Sequence, residues 1–292
     1  MTAFFRDMGA NPFLLTGLLA GVLASVSCGL IGPYVITRRI VFLSGAIAHM
    51  AIGGIGAAVF LAAQFPNQFG WLQPMHGGMV AALVAAAVIG VVHHRVAERM
   101  DTLIGAMWAV GMAVGIMLIK FTPGYHTELM SYLFGNISVV SWQQVWWMTW
   151  LSAIIVAVVT LFHKRLLAVC LDRQQAELQG VNVLLTDIVL LCLVALTVIC
   201  LTQVVGLILV IALLCLPAAT VSHHVARMGV MMLASIVLCS LLTTLPRIAV
   251  YGVSVFGGRQ ISAESAIVLA AASVYLLSVV VSHFLQRARN AA

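Results

Sequence analysis

Few side chains in this sequence can do chemistry, and most of those that can are histidines. His49 stands in SGAIAHMAIGGIG, an apolar run with no acid or base beside it. An imidazole in such a run is costly unless it faces a partner or a water-filled path. It reads either as a core histidine bonded to a neighbouring carbonyl or as a brief ligand for a metal ion or proton in transit. In GYHTELM, His126 and Glu128 form a His-x-Glu pair. Imidazole nitrogen and carboxylate oxygen together suit zinc, manganese or ferrous iron, so the pair is a candidate metal contact at an outer opening, alongside the plain reading of a solvated loop. His76 falls in an earlier loop, and His93 with His94 and His223 with His224 flank arginines at the ends of apolar runs. There they act as interface anchors or meet a departing cation. No HExxH, CxxC or GxxxxGK[ST] pattern occurs, which argues against an intramembrane metalloprotease, a thiolate metal site and an ATPase carried by this chain.

These residues must be positioned by membrane helices. The 292 residues are 63% hydrophobic and 8% charged, with mean hydropathy +1.14, whereas a soluble globular chain carries about 25% charged residues. The composition predicts an all-α polytopic membrane bundle of eight to nine spans, forming one domain over residues 1–292. The net charge of +6 comes from 14 basic residues scattered at the ends of apolar runs, a pattern of membrane topology with no patch for nucleic acid. Five of the six cysteines (Cys28, Cys192, Cys200, Cys215 and Cys239) lie inside apolar runs and read as small packing residues, with Cys170 in a polar stretch. The first apolar run lacks the flanks of a cleaved leader and is expected to stay as a span.

Runs long enough for about 30 Å of hydrocarbon are residues 12–36, 41–63, 75–92, 103–119, 142–162, 184–201, 205–221, 231–245 and 266–284. Nine spans place the N-terminus outside and the C-terminus in the cytoplasm. Ten basic residues then fall inside (Arg38, Arg39, Arg95, Arg99, Lys164, Arg165, Arg173, Arg227, Arg287, Arg289) against four outside (Arg6, Lys120, Arg247, Arg259), the sense the positive-inside rule requires. Residues 202–206 leave little room for a turn, so one span is expected to be broken or re-entrant. Glycines at helical spacing, Gly17 with Gly21, Gly111 with Gly115, and Gly53, Gly54 and Gly56, suit close helix approach in lipid.

The polar interruption at residues 162–182 holds Lys164, Arg165, Asp172, Arg173 and Glu177. Its 171–180 part reads as a short helix, capped by Asp172 at its start and stopped by Gly180. Hung between two spans, it lies outside the hydrocarbon, either as a solvated connection or as a docking element.

Four segments in order, RRIVFLSGAIAHMAIGGIG, DTLIGAMWAVGMAVGIMLI, ELMSYLFGNISVVS and VGLILVIALLCLPAATV, with LDRQQAELQGVNV between the last two, resemble the permease subunits of ATP-binding-cassette importers for zinc, manganese and iron, the ABC-3 type of membrane subunit. The resemblance implies a multi-pass protein of the cell (inner) membrane that is not itself an enzyme. It implies a cytoplasmic ATPase dimer, an external metal-binding protein and a second permease copy as partners. The divalent metal is then cargo, with no permanently bound cofactor. Asp172, Gln175, Ala176 and Gly180 fall on the family's ATPase-coupling segment, here about 171–182, and His49 on its translocation path. One position departs: the family carries an aspartate four residues before this histidine, and here that residue is Gly45. Losing the carboxylate weighs against manganese and leaves zinc ahead, because imidazole suits zinc. Restoring an aspartate at 45 is expected to shift preference toward manganese. An importer of a metal chelate, siderophore or vitamin, and a secondary metal transporter, are the competing expectations.

Overall fold

The computed structural model describes residues 11–95, 100–122, 135, 140–257 and 262–291. Among them the chain forms helices α1 (Pro12–Thr37), α2 (Val41–Gln64), α3 (Pro66–Phe69), α4 (Pro74–Arg95), α5 (Met100–Lys120), α6 (Trp142–Leu171), α7 (Arg173–Leu178), α8 (Val183–Ser222), α9 (Met228–Gly257) and α10 (Ala263–Ala291), with no strand among the described residues. Among the described residues, eight helices are long and apolar enough to cross a membrane. The polar caps that start them are local. Asn11 Oδ1 accepts from Phe13 N at 3.1 Å with Pro12 in the first turn, Ser141 and Gln144 form a reciprocal capping box on α6, and Asn182 Oδ1 accepts from Leu185 N at 3.0 Å.

α8 contains the broken span. Gly206 takes φ 74° and ψ 165° within it, a backbone region that is essentially glycine-only. The chain folds back there, as its partners require. Near the same end of α1, Gly32 packs against Leu214 and Arg38 bonds Asp187. Gly32 and Arg38 are about 9 Å apart along α1, whereas Asp187 and Leu214 would be about 40 Å apart on a straight helix. α8 is therefore a hairpin with arms Val183–Thr202 and Leu209–Ser222. The 14-residue return arm reaches only about 21 Å, too short to cross the hydrocarbon alone. Pro217 in this arm removes the donor to Leu213, and the Cys239 thiol lies 3.9 Å from that freed carbonyl.

The hairpin starts and ends on one side, so the other seven long helices place the described termini on opposite sides. α1 runs antiparallel to α9, with Ser25 Oγ and Thr243 Oγ1 3.2 Å apart, and parallel to α6, through Ser27–Ser152 at 2.9 Å and Tyr34–His163 at 2.7 Å. The glycine spacing in the sequence forms the α2–α5 seam. A Cβ on Gly56 would come within 2.5 Å of Gly115 O, and one on Gly53 within 3.0 Å of Gly111 O. Small residues thus let backbones touch where apolarity alone gives no driving force.

α6 is longer than the run 142–162 expected from the sequence. Its 30 residues extend about 45 Å and carry Lys164 and Arg165 beyond the hydrocarbon as continuous helix. At its other end Trp142, Trp146, Trp147 and Trp150 are exposed on one face, as an aromatic belt at a membrane interface. Arg247, counted from sequence as an outer charge, is buried at that same end, its Nη2 3.4 Å from Phe13 O.

Candidate functional site

The candidate residues lie in two places, one at the basic end and one inside the bundle. At the basic end, Asp172 Oδ1 accepts from Gln174 N at 2.9 Å and Gln175 N at 3.1 Å, fixing the start of α7. The stop is equally defined. Gly180 has φ 78°, its N–H donates to Glu177 O at 2.9 Å, and Val181 N–H donates to Ala176 O at 3.0 Å. These two bonds are the Schellman pattern, and its apolar contact is present because Ala176 and Val181 share a small cluster with Val169 and Val183.

The side chains of this short helix divide sharply. Ala176 is 1% exposed and holds α7 against α6 and α8, so it positions the segment and offers no surface to a partner. Gln175 and Gly180 are exposed, and Leu178 stands 89% exposed on an otherwise polar element.

An ion cluster that the sequence did not reveal ties α7 to the bundle. Asp187, read from sequence only as a residue near a span end, is 4% exposed and lies between two guanidinium groups. Arg38 Nη2 donates to Oδ1 at 2.7 Å and Arg173 Nη2 donates to Oδ2. Arg38 Nη1 also donates to Val169 O at 2.7 Å. Arg38 after α1 and Arg173 of α7 thus meet on the Asp187 carboxylate of α8, and α6 joins them through Arg38. The signal was faint, since Arg38 and Arg173 looked like ordinary topology charges.

Inside the bundle, His49 is 5% exposed on α2. Its Nδ1 lies 2.7 Å from Gly45 O. A carbonyl only accepts, so Nδ1 carries the proton and Nε2 keeps the lone pair that could bind a cation. Ser44 is no substitute for a carboxylate, because its hydroxyl donates to Val41 O at 2.6 Å within its own helix. The side chain that accompanies the imidazole is Trp108 of α5, its ring centroid 4.3 Å away and tilted by 33°. Gly111 allows this approach, since a Cβ there would come within 2.8 Å of His49 O and Met50 N.

Among the described residues no group of three or more His, Cys, Asp or Glu side chains could hold a metal ion. His49 belongs to no such group among the described residues, and its Nε2 offers one nitrogen donor. His126 and Glu128 lie outside the described residues. At the basic end His224 Nε2 is 2.9 Å from Ser278 Oγ, joining α8 to α10.

The chain is 41% identical over 199 residues, 68% of each chain, to an uncharacterized membrane protein of Synechocystis sp.. It is 39% identical over 200 residues to a probable metal transport system membrane protein of Chlamydia trachomatis, covering 68% of this chain and 67% of that one. A manganese transport system membrane protein of Halalkalibacterium halodurans is 28% identical over 211 residues, 72% of this chain and 69% of that one. Among solved structures, PsaBC from Streptococcus pneumoniae in complex with Fab matches with TM-score 0.81 and 27% identity over 95% of each chain. The model of the ABC 3 transport family matches residues 10–282, and over that near-complete span of helices, hairpin and capped α7 the chain belongs to this family.

Proposed function

We propose that this chain is the membrane permease subunit of an ATP-driven importer of divalent transition metal. The observation that carries the proposal is α7, a short helix locked by caps at both ends and held outside the spans with Gln175 and Leu178 exposed. Such an element suits docking into a cleft of a cytoplasmic ATPase. The chain has no phosphate loop, so the partner hydrolyses ATP and this subunit carries the path. Movement of α7 reaches α1 and the α8 hairpin through Arg173, Asp187 and Arg38. The relatives named for metal transport support a metal as cargo, and an external binding protein delivers it. A second copy of the chain faces the first across the path and supplies ligands that one His49 lacks.

Zinc is the cargo this site favours, because an imidazole nitrogen is present and the carboxylate preferred by a harder ion is not. A manganese reading draws on the name of the 28% identical relative. The deciding assay is uptake into vesicles holding permease and ATPase, with binding protein outside and zinc, manganese and ferrous ions competing. His49→Ala is expected to lower uptake of the preferred ion about tenfold or more while the ATPase still co-purifies, since an alanine packs in the same space. Unchanged uptake of all three ions at equal protein level would remove His49 from the path.

A further inference from the structure

We infer that Trp108 keeps a carboxylate out of position 45, one turn before His49, and that this exclusion sets the ion preference of the His49 site. This rests on the transport proposal above and adds a residue and a cause to it. A Cβ built on Gly45 would lie 2.8 Å from Trp108 Cζ3 and 3.0 Å from Cη2, with Ile211 Cδ1 of the α8 return arm at 3.5 Å. The 2.8 Å distance is shorter than real Cβ contacts and the 3.0 Å one is tight, so even an alanine at 45 requires the ring to shift. The ring is not free to do so without loss, because it packs against the His49 imidazole at 4.3 Å. It is also carried by the stretch of α5 that Gly111 seats against the backbone of His49 and Met50.

Gly45 and Trp108 are thus one device. The glycine opens a slot one turn before His49, and the indole from the neighbouring helix fills it. The consequence for a cation at His49 Nε2 is chemical. In place of two anionic oxygens the imidazole has an indole ring packed beside it, which offers a cation no lone pair. Harder ions such as manganese lose more by this exchange than zinc, for which imidazole is a good ligand. The same exchange leaves the site without fixed negative charge, so bound cargo is released readily.

On this inference an aspartate at 45 alone does not restore a carboxylate site, since the indole crowds the position of its Cβ. The test is a cycle of Gly45→Asp, Trp108→Ala and the double variant, read in two ways. In the first, the melting midpoint of the permease is measured without metal. Gly45→Asp is expected to lower it in the native background and to lower it by less than half as much in the Trp108→Ala background. Gly45→Ala, crossed with Trp108→Ala in the same way, repeats the steric test without a charge. In the second, zinc and manganese uptake are compared in vesicles. Gly45→Asp alone is expected to lose uptake of both ions, Trp108→Ala alone to lower uptake without raising the manganese-to-zinc ratio, and the double variant to raise that ratio at least tenfold. Additive midpoints in both crosses, or a ratio in Gly45→Asp alone that moves as far as in the double variant, would overturn the inference. Vesicles of the unaltered protein that move no divalent ion would defeat the transport proposal instead, and the melting cycle would still decide whether Trp108 fills the slot.

Discussion

Asp187 is the residue whose removal should disturb the most, because one buried carboxylate neutralises two guanidinium groups. Asp187→Asn keeps the volume and removes the charge. Arg38, 10% exposed, is then a buried cation without its partner, and breaking such a pair from one side costs about 3–5 kcal/mol. Arg173 is 39% exposed, so solvent screens its share to about 1 kcal/mol or less. At about 2–4 °C per kcal/mol for chains approaching this size, Asp187→Asn should lower the melting midpoint by about 6–20 °C. Arg173→Gln should lower it by at most about 4 °C on the same scale. The buried thiols Cys28, Cys200, Cys215 and Cys239 provide the assay, since a thiol-reactive dye labels them only as the bundle opens. The double variant Arg38→Leu with Asp187→Leu should recover most of the loss, because an apolar pair of matching volume often replaces a buried ion pair at little cost. A midpoint within about 2 °C of the unaltered protein for Asp187→Asn, or an Arg173→Gln effect as large, would refute the assignment of the cost to the Arg38 pair.

Gly180 has φ 78° and open space around the position of its missing Cβ, so Gly180→Val should cost about 1–2 kcal/mol from backbone strain alone. Hydrolysis should then continue while transport per ATP falls, and full coupling in that variant would remove α7 from the docking role. Arg39 holds φ 56° at the end of α1, where Ile40 N–H donates to Val35 O at 3.0 Å in another helix stop. Arg39→Gly should therefore raise stability by about 0.5–1 kcal/mol, read as a higher melting midpoint. A cysteine at Asn290 should be labelled only from the cytoplasmic side, and labelling from outside intact cells would reverse the orientation set by the basic residues.

What could be read from the sequence is what short-range chemistry controls. Span lengths follow from runs of apolar residues, and the α7 boundaries follow from Asp172 and Gly180, whose cap bonds reach only a few residues along the chain. The α2–α5 seam was legible because glycine spacing of four residues is itself a packing pattern, although it did not say which helices would meet. His49 was visible as the odd residue in an apolar run. Its company was not: Trp108 lies 59 positions further on, in a helix whose sequence is apolar on every side. Uniformly apolar helices carry no polar face to announce which residues point inward, so only the packed bundle decides that Gly45, Trp108 and Ile211 converge on one imidazole. The same holds for Asp187. Charges at the ends of spans look alike in sequence, and the α1, α7 and α8 ends must be brought together before Arg38 and Arg173 become its partners. At Gly206 the sequence supplied only a glycine and a cramped turn. The reversal belongs to the tertiary structure, because a 14-residue return arm is too short to stand alone in lipid and is held there by its contacts with α1 and α9.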